Sequence, residues 1–475
     1  MNIPNDSVDR NTGNTPLHNA AKGACSKKIR SLLNNGAKID AKNKAGFTAL
    51  HEASREGHIK VVKLLLRRGA NIDATIDVWK NDGWTALHIA SQEGHVDVVK
   101  LLLDRGAKID AKNKAGFTAL HCASQDGHID VVKLLVDRGA NVRAESYNSS
   151  TALHLASQDG HIDVVKLLLD RGAKIAAKDD DLFTALHFSS QEGHIDVVKL
   201  LLDRGANANV RATMNEAFTA LYYASQEGHI DVVKLLLDRG AKIEAKNNEG
   251  ITALHWASKK GHSDVAKLLL NNGDKIEAKN NEGFTALHFA SKKGHSDVAK
   301  LLLDRGASVR AVNRLGQTAL HIAAEYKHAD VVRSLLDKGA KIDAEDYVKL
   351  TPLHYASQFN ENANNNIIDS AKMLIMRGAD MSTPTKMGTT AWGFLDKQFH
   401  TEIRGYIKQI MTESYTEMLH IKMSSPYDRL PAYVFLEIIR YLPNTECLNE
   451  LDMIKTLQGR RNNFTKVMES RKLKA

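Results

Sequence analysis

The sequence predicts an all-α protein, a solenoid of about twelve helix–turn–helix repeats followed by a small helical segment at the C-terminal end. Three observations predict it. A tetrapeptide reading T-A-L-H, or a near variant, begins at Thr15, Thr48, Thr85, Thr118, Thr151, Thr184, Thr219, Thr252, Thr285, Thr318 and Thr351. Most copies open two short apolar stretches at helical spacing, both closed by glycine. After Lys408 the rhythm stops and the composition changes.

Eight of the ten intervals between copies are 33 residues, and the other two are 37 and 35. A weakened copy, Thr390–Gly393, follows Thr351 after 39 residues. The unit Gly116–Ala144 shows how the period becomes structure. Thr118 can cap a helix through its hydroxyl. Leu120, Cys122 and Ala123 give that helix its apolar face, and Gly127 supplies a left-handed stop. A second helix is expected from near Asp130, whose carboxylate suits a helix N-terminus. Val131, Leu134 and Leu135 recur at helical spacing before Gly139 ends it, and Asn141–Thr151 forms the connecting turn. Two helices this short cannot bury their apolar faces alone, so they need neighbours of the same kind.

The T-P-L-H or T-A-L-H start, the G-H dipeptide, the V-V-K-L-L-L helix and the G-A ending resemble the ankyrin repeat over residues 9–408. The resemblance implies a protein-binding scaffold, with the loop tips and the inner face of each first helix lining a concave surface. It also implies that histidines such as His121 and His128 hydrogen-bond backbone and neighbouring loops.

Departures from the period mark candidate contact residues. One insertion spans Thr75–Trp84 and is expected to expose Trp79; another spans Asn209–Ala217, with Arg211 and Met214. A third, Asn360–Asn366, is Asn-rich and reads as a loop. The two residues after H-x-A-S fall on the expected inner face. They read Arg55–Glu56, Gln92–Glu93, Gln125–Asp126, Gln158–Asp159, Gln191–Glu192 and Gln226–Glu227, then switch to Lys259–Lys260 and Lys292–Lys293. This predicts a groove mildly acidic in its middle and basic toward the C-terminal repeats, able to orient a target of complementary charge. The same pattern also follows from duplication of a solvated face.

Several function classes lack support. The 43% hydrophobic content allows a large core, and the longest apolar runs are too short to span a bilayer. Met1–Arg10 is polar, unlike a secretory signal. The net charge of +9 is spread among alternating acids and bases, so a mixed surface is expected and no nucleic acid or membrane partner. Cys25, Cys122 and Cys447 lie far apart, which points to a reducing, intracellular setting and no disulfide framework. No catalytic constellation, metal site or cofactor motif is recognised, and the chain is expected to be a monomer and not an enzyme. Cys122 stands where other copies carry Ile89, Leu155 and Phe188, so it reads as core.

Beyond the repeats, Gln409–His420 reads as a linking or capping helix within 409–423. In segment 424–457, Leu430 and Pro431 start a helix. Its apolar stripe is Val434, Phe435, Ile438, Ile439 and Leu442, with Tyr441 beside it. The L-P start followed by I-x-x-Y-L resembles the opening of an F-box. Its place after many ankyrin repeats is similar to the PRANC-type proteins of poxviruses and to ankyrin effectors of intracellular bacteria. That resemblance implies docking of Leu430, Pro431, Val434, Phe435, Ile438, Ile439, Tyr441 and Leu442 onto the Skp-type adaptor of a cullin–RING ubiquitin ligase. It also implies residence in the cytoplasm or nucleus of a eukaryotic host. The alternative is that these helices only cap the stack. Residues 458–475 form a basic tail.

Overall fold

The computed structural model describes residues 8–77, 83–212, 217–358 and 367–391. Among them are twenty-two helices, and their only β-type pairings are three isolated bridges. The all-helical repeat expectation is met. Trp79, Met214 and the 360–366 insertion lie outside the described residues. So do residues from 392 onward, which include the stretch 409–420 expected to be a helix, residues 430–442 expected to dock onto a ligase adaptor, and the tail.

The chain divides into two compact units, Met1–Ala253 and Leu254–Ala475. The first holds the helices from Pro16–Lys22 to Ile230–Asp238. The second runs from Ala253–Lys260, whose first residue sits on the boundary, to Ile367–Met376. Within each unit, the first helices of neighbouring repeats pack on one another and the second helices do the same, giving two layers.

The reason for stacking is length. The first helices span six to eight residues and the second helices nine or ten, below the roughly 12 residues at which an isolated helix becomes even marginally stable. Each second helix instead buries one repeated stripe, such as Val131, Val132 and Leu135 in Ile129–Asp137. Full burial of such side chains contributes about 1.5–3 kcal/mol each. That helix starts one residue before Asp130, with His128 at its cap position.

One close approach fixes the spacing between repeats. Gly127 has φ +74°, and a Cβ there would lie 2.5 Å from Nδ1 of His161 in the following repeat. Glycine is therefore required twice, for its left-handed backbone and as a seat for the next imidazole. Gly57, Gly94, Gly160 and Gly193 seat His95, His128, His194 and His229 in the same way.

Candidate functional site

The inner row is positioned by two sets of histidines. In the T-A-L-H helix Ala119–Gln125, the backbone N–H of Thr118 donates to Nδ1 of His121 at 3.1 Å, and the Thr118 hydroxyl lies 2.9 Å from the same atom. His121 Nε2 then donates to the Ser150 carbonyl in the next repeat at 3.2 Å. Nδ1 accepts and Nε2 donates, so the ring must be neutral. Burial agrees, lowering His121 to about 4, and likewise His51, His187 and His288. The G-H histidines reach the other way. His161, His194 and His229 donate to the carbonyls of Gln125, Gln158 and Gln191 in the preceding repeat, at 2.8–2.9 Å.

These bonds engage the main chain of the inner row and leave its side chains on the surface. Gln125 and Asp126 are exposed; Gln92 and Gln158 are half-buried with Glu93 and Asp159 exposed beside them. Successive acids sense one another: burial raises the Asp159 carboxyl, His161 opposes that, and Asp126 adds to it. The first unit thus presents a row of carboxylates on these helix ends. In the repeat that starts at Thr48 the row is anchored by a different group, buried Glu52, which pairs with Arg55 at 2.5 Å.

In the second unit the row is cationic and stacked on rings. Lys259 Nζ lies 3.9 Å from the Trp256 ring centroid, and Lys260 lies 6.0 Å from it. Lys292 lies 5.4 Å from the Tyr326 centroid and 6.0 Å from that of Phe284, while Lys293 is exposed. The basic stretch stops there. The next pair is Glu325–Tyr326, and burial raises the Glu325 carboxyl against the opposing charges of Lys292 and Lys327.

Of the insertion residues, Arg211 is exposed at an open cavity of 630 Å³ in the first unit, together with Lys242, Glu244 and Lys246. Cys122 is fully buried and its thiol is pushed up to about 12 by burial, which fits the expected core role. Among the described residues no group of three or more His, Cys, Asp or Glu could hold a metal ion, and no helix is long and apolar enough to cross a membrane.

Three features are not anticipated from the sequence. Lys327 occupies the left-handed position that glycine fills in most copies, at φ +63°. Its ammonium donates to the carbonyls of Tyr355, Ala356 and Gln358 at 2.7–3.0 Å, capping the helix Pro352–Ser357. Burial lowers Lys327 to about 8. A second feature is a series of buried serine hydroxyls without a protein partner, at Ser54, Ser91, Ser124, Ser157, Ser190, Ser225, Ser258 and Ser291. The third is a set of apolar loop tips at Leu315, Tyr347, Val348 and Met387. Its only signal in the sequence is an apolar residue at a turn apex, where other copies carry Ala45, Ala115 or Glu249.

The family model for ankyrin repeats in three copies matches residues 2–76, 109–179, 153–247, 241–313 and 305–385, and the model for a single ankyrin repeat matches residues 82–114. No curated protein matches the chain. The stacked helix pairs, the threonine–histidine caps and these matches over most of the chain agree: the protein belongs to the ankyrin-repeat family, a family of protein–protein interaction scaffolds.

Proposed function

We propose that the protein is an adaptor, binding a target protein on its repeats and bringing it to a ubiquitin ligase through its C-terminal helices. The observation that carries the first half is the inner row. Its backbone is engaged by histidines of adjoining repeats, while Gln125, Asp126, Glu93, Asp159, Lys260 and Lys293 stand exposed on helix ends held in register. The row changes sign from carboxylates in the first unit to lysines in the second, which favours a target with its own charge asymmetry.

The second half rests on the sequence. Leu430-Pro431 and the stripe through Val434, Phe435, Ile438, Ile439 and Leu442 resemble an F-box opening, and an amphipathic helix of this kind docks into a partner's apolar groove. The adaptor would catalyse nothing, acting by raising the local concentration of target near the ligase. Its place of work would be the cytoplasm or nucleus of a eukaryotic host, and its partners the target and a Skp-type adaptor.

Pull-down with a Skp-type adaptor tests the ligase arm. Alanine at Leu430, Pro431 and Ile438 together is expected to abolish capture, and undiminished capture removes that arm. Deleting residues 424–475 supplies the complementary reading. A marked fall in the unfolding midpoint would assign those helices to capping the stack. Charge reversal at Lys259, Lys260, Lys292 and Lys293 tests the target arm and is expected to change which proteins cross-link to the chain.

A further inference from the structure

The loop tips of the second unit change character along the chain. The tip 280–283 carries Asn281 and Glu282 at its apex. The next three carry Arg314–Leu315, then Tyr347–Val348, then Lys386–Met387. Exposure is 63% at Leu315, 62% at Tyr347, 50% at Val348 and 94% at Met387. Exposed apolar side chains scattered singly are ordinary, but four on successive tips form a patch.

The tips are joined and held. Tyr347 N–H donates to the Leu315 carbonyl at 3.1 Å, and Lys386 N–H to the Val348 carbonyl at 3.4 Å. Each apex is shaped by a side-chain acceptor at its base. Asn313 Oδ1 takes the N–H groups of Leu315 and Gln317, Asp346 Oδ1 those of Val348 and Leu350, and Thr385 Oγ1 those of Met387 and Thr389. Behind them Asn313 donates to Gln317, Gln317 to the Tyr355 hydroxyl, and that hydroxyl to Asp346, each at 2.8 Å. The Tyr347 ring rests on Gly316, where a Cβ would come 2.7 Å from Cδ1. A ring braced this way spends little entropy when a partner covers it.

Charge selects the occupant. Arg314, Lys349 and Lys386 are exposed beside the apolar residues, and within these four-residue tips the only carboxylate, Asp346, is buried. Exposed Glu282 and Glu345 flank the patch and would repel an anionic lipid surface. A peptide can instead place its acids against the three cations and its aliphatic groups on the apices. We propose that the tips at 314–315, 347–349 and 386–387 dock an acidic, aliphatic-rich segment of another protein. This deepens the target-binding reading above and rests on it.

The test uses the full chain and a labelled synthetic peptide of alternating Glu and Leu, with Lys–Leu and Glu–Ser peptides as references, followed by fluorescence anisotropy. The Glu–Leu peptide is expected to bind best. Leu315→Ser, Tyr347→Ser and Met387→Ser together should weaken it by about tenfold or more, and Arg314→Ser with Lys349→Ser and Lys386→Ser should weaken it severalfold and flatten its salt dependence. All six positions are exposed, and an unchanged melting midpoint confirms that the variants fold. No binding, equal binding of the Lys–Leu peptide, or binding unaffected by the apolar triple variant overturns the proposal. So does binding to phosphatidylserine–phosphatidylcholine vesicles that depends on the same residues. Cross-linking to proteins that survives the tip variants but is lost on charge reversal at Lys259, Lys260, Lys292 and Lys293 would sink this inference and leave the adaptor reading intact.

Discussion

The two units are built from the same repeat yet spend their variable positions differently. In the first, the inner row mostly pairs glutamine with a carboxylate, and the described tips carry residues such as Lys44–Ala45 and Lys114–Ala115, with a single exposed aromatic, Tyr147. In the second, the row turns to lysine stacked on Trp256, Phe284 and Tyr326, and the last tips turn apolar. The internal contacts barely change: Val, Val and Leu fill the second helix of Ile129–Asp137 as Val298, Ala299 and Leu302 fill that of Ser296–Asp304. Stacking fixes one set of positions and leaves the other set free to vary.

Acid should separate the units most strongly. Three of the four histidines lowered to about 4, His51, His121 and His187, belong to the first unit, and His288 to the second. An unfolded chain takes up each of these protons near the ordinary value of 6.5, whereas the folded chain resists until about 4. Stability is therefore complete above pH 6.5 and falls as pH drops toward 4, by about 3 kcal/mol per histidine. Hydrogen exchange between pH 7 and 4 should show the first unit opening earlier. Equal opening of both would break the contrast.

Lys327→Met should act next, and on the second unit alone. It keeps the aliphatic stem but removes the donor to three carbonyls, at a cost of about 2 kcal/mol. Faster exchange confined to Pro352–Ser357 and its neighbours would mark the lost cap. Smaller and opposite in sign is Ser124→Ala, which deletes a buried hydroxyl lacking a protein partner and should raise stability by about 1 kcal/mol in chemical denaturation. The chain contains its own reference, since Ala324 is fully buried at the matching place in the second unit, and Ala324→Ser should lower stability by a similar amount. The least effect is expected from Arg138→Ala. Its 2.8 Å pair with Asp104 repeats as Arg171–Asp137 and Arg204–Asp170, but both partners are partly exposed, so about 0.5 kcal/mol or less is at stake.

What depends on a single repeat was legible in the sequence. The period, the Thr118 cap, the stops at Gly127 and Gly139 and the core place of Cys122 all stand where local pattern puts them, with one helix starting a residue early. What depends on two repeats was not. The reach of His121 to the Ser150 carbonyl crosses 29 residues, and nothing around His121 itself indicates the acceptor. Lys327 reads in the sequence as a glycine lost, and only its distance to three carbonyls reveals a cap. Inner-row positions stand out in the sequence because charge changes there against a constant background. The apolar tips escaped because single exposed apolar residues carry no meaning until the fold sets them side by side.

The seat at Gly127 and the ring of His161 that fills it come from different repeats, and the same half-joint is offered at Gly94, Gly160 and Gly193. Most interior copies therefore carry a socket and a plug of one standard gauge side by side, in the Gly-His pair between their two helices. A gene encoding such a chain can gain or drop a whole copy by recombination and still produce matched surfaces at the new junction. Length, and with it the number of charged and apolar positions offered to partners, becomes a freely adjustable property of the lineage.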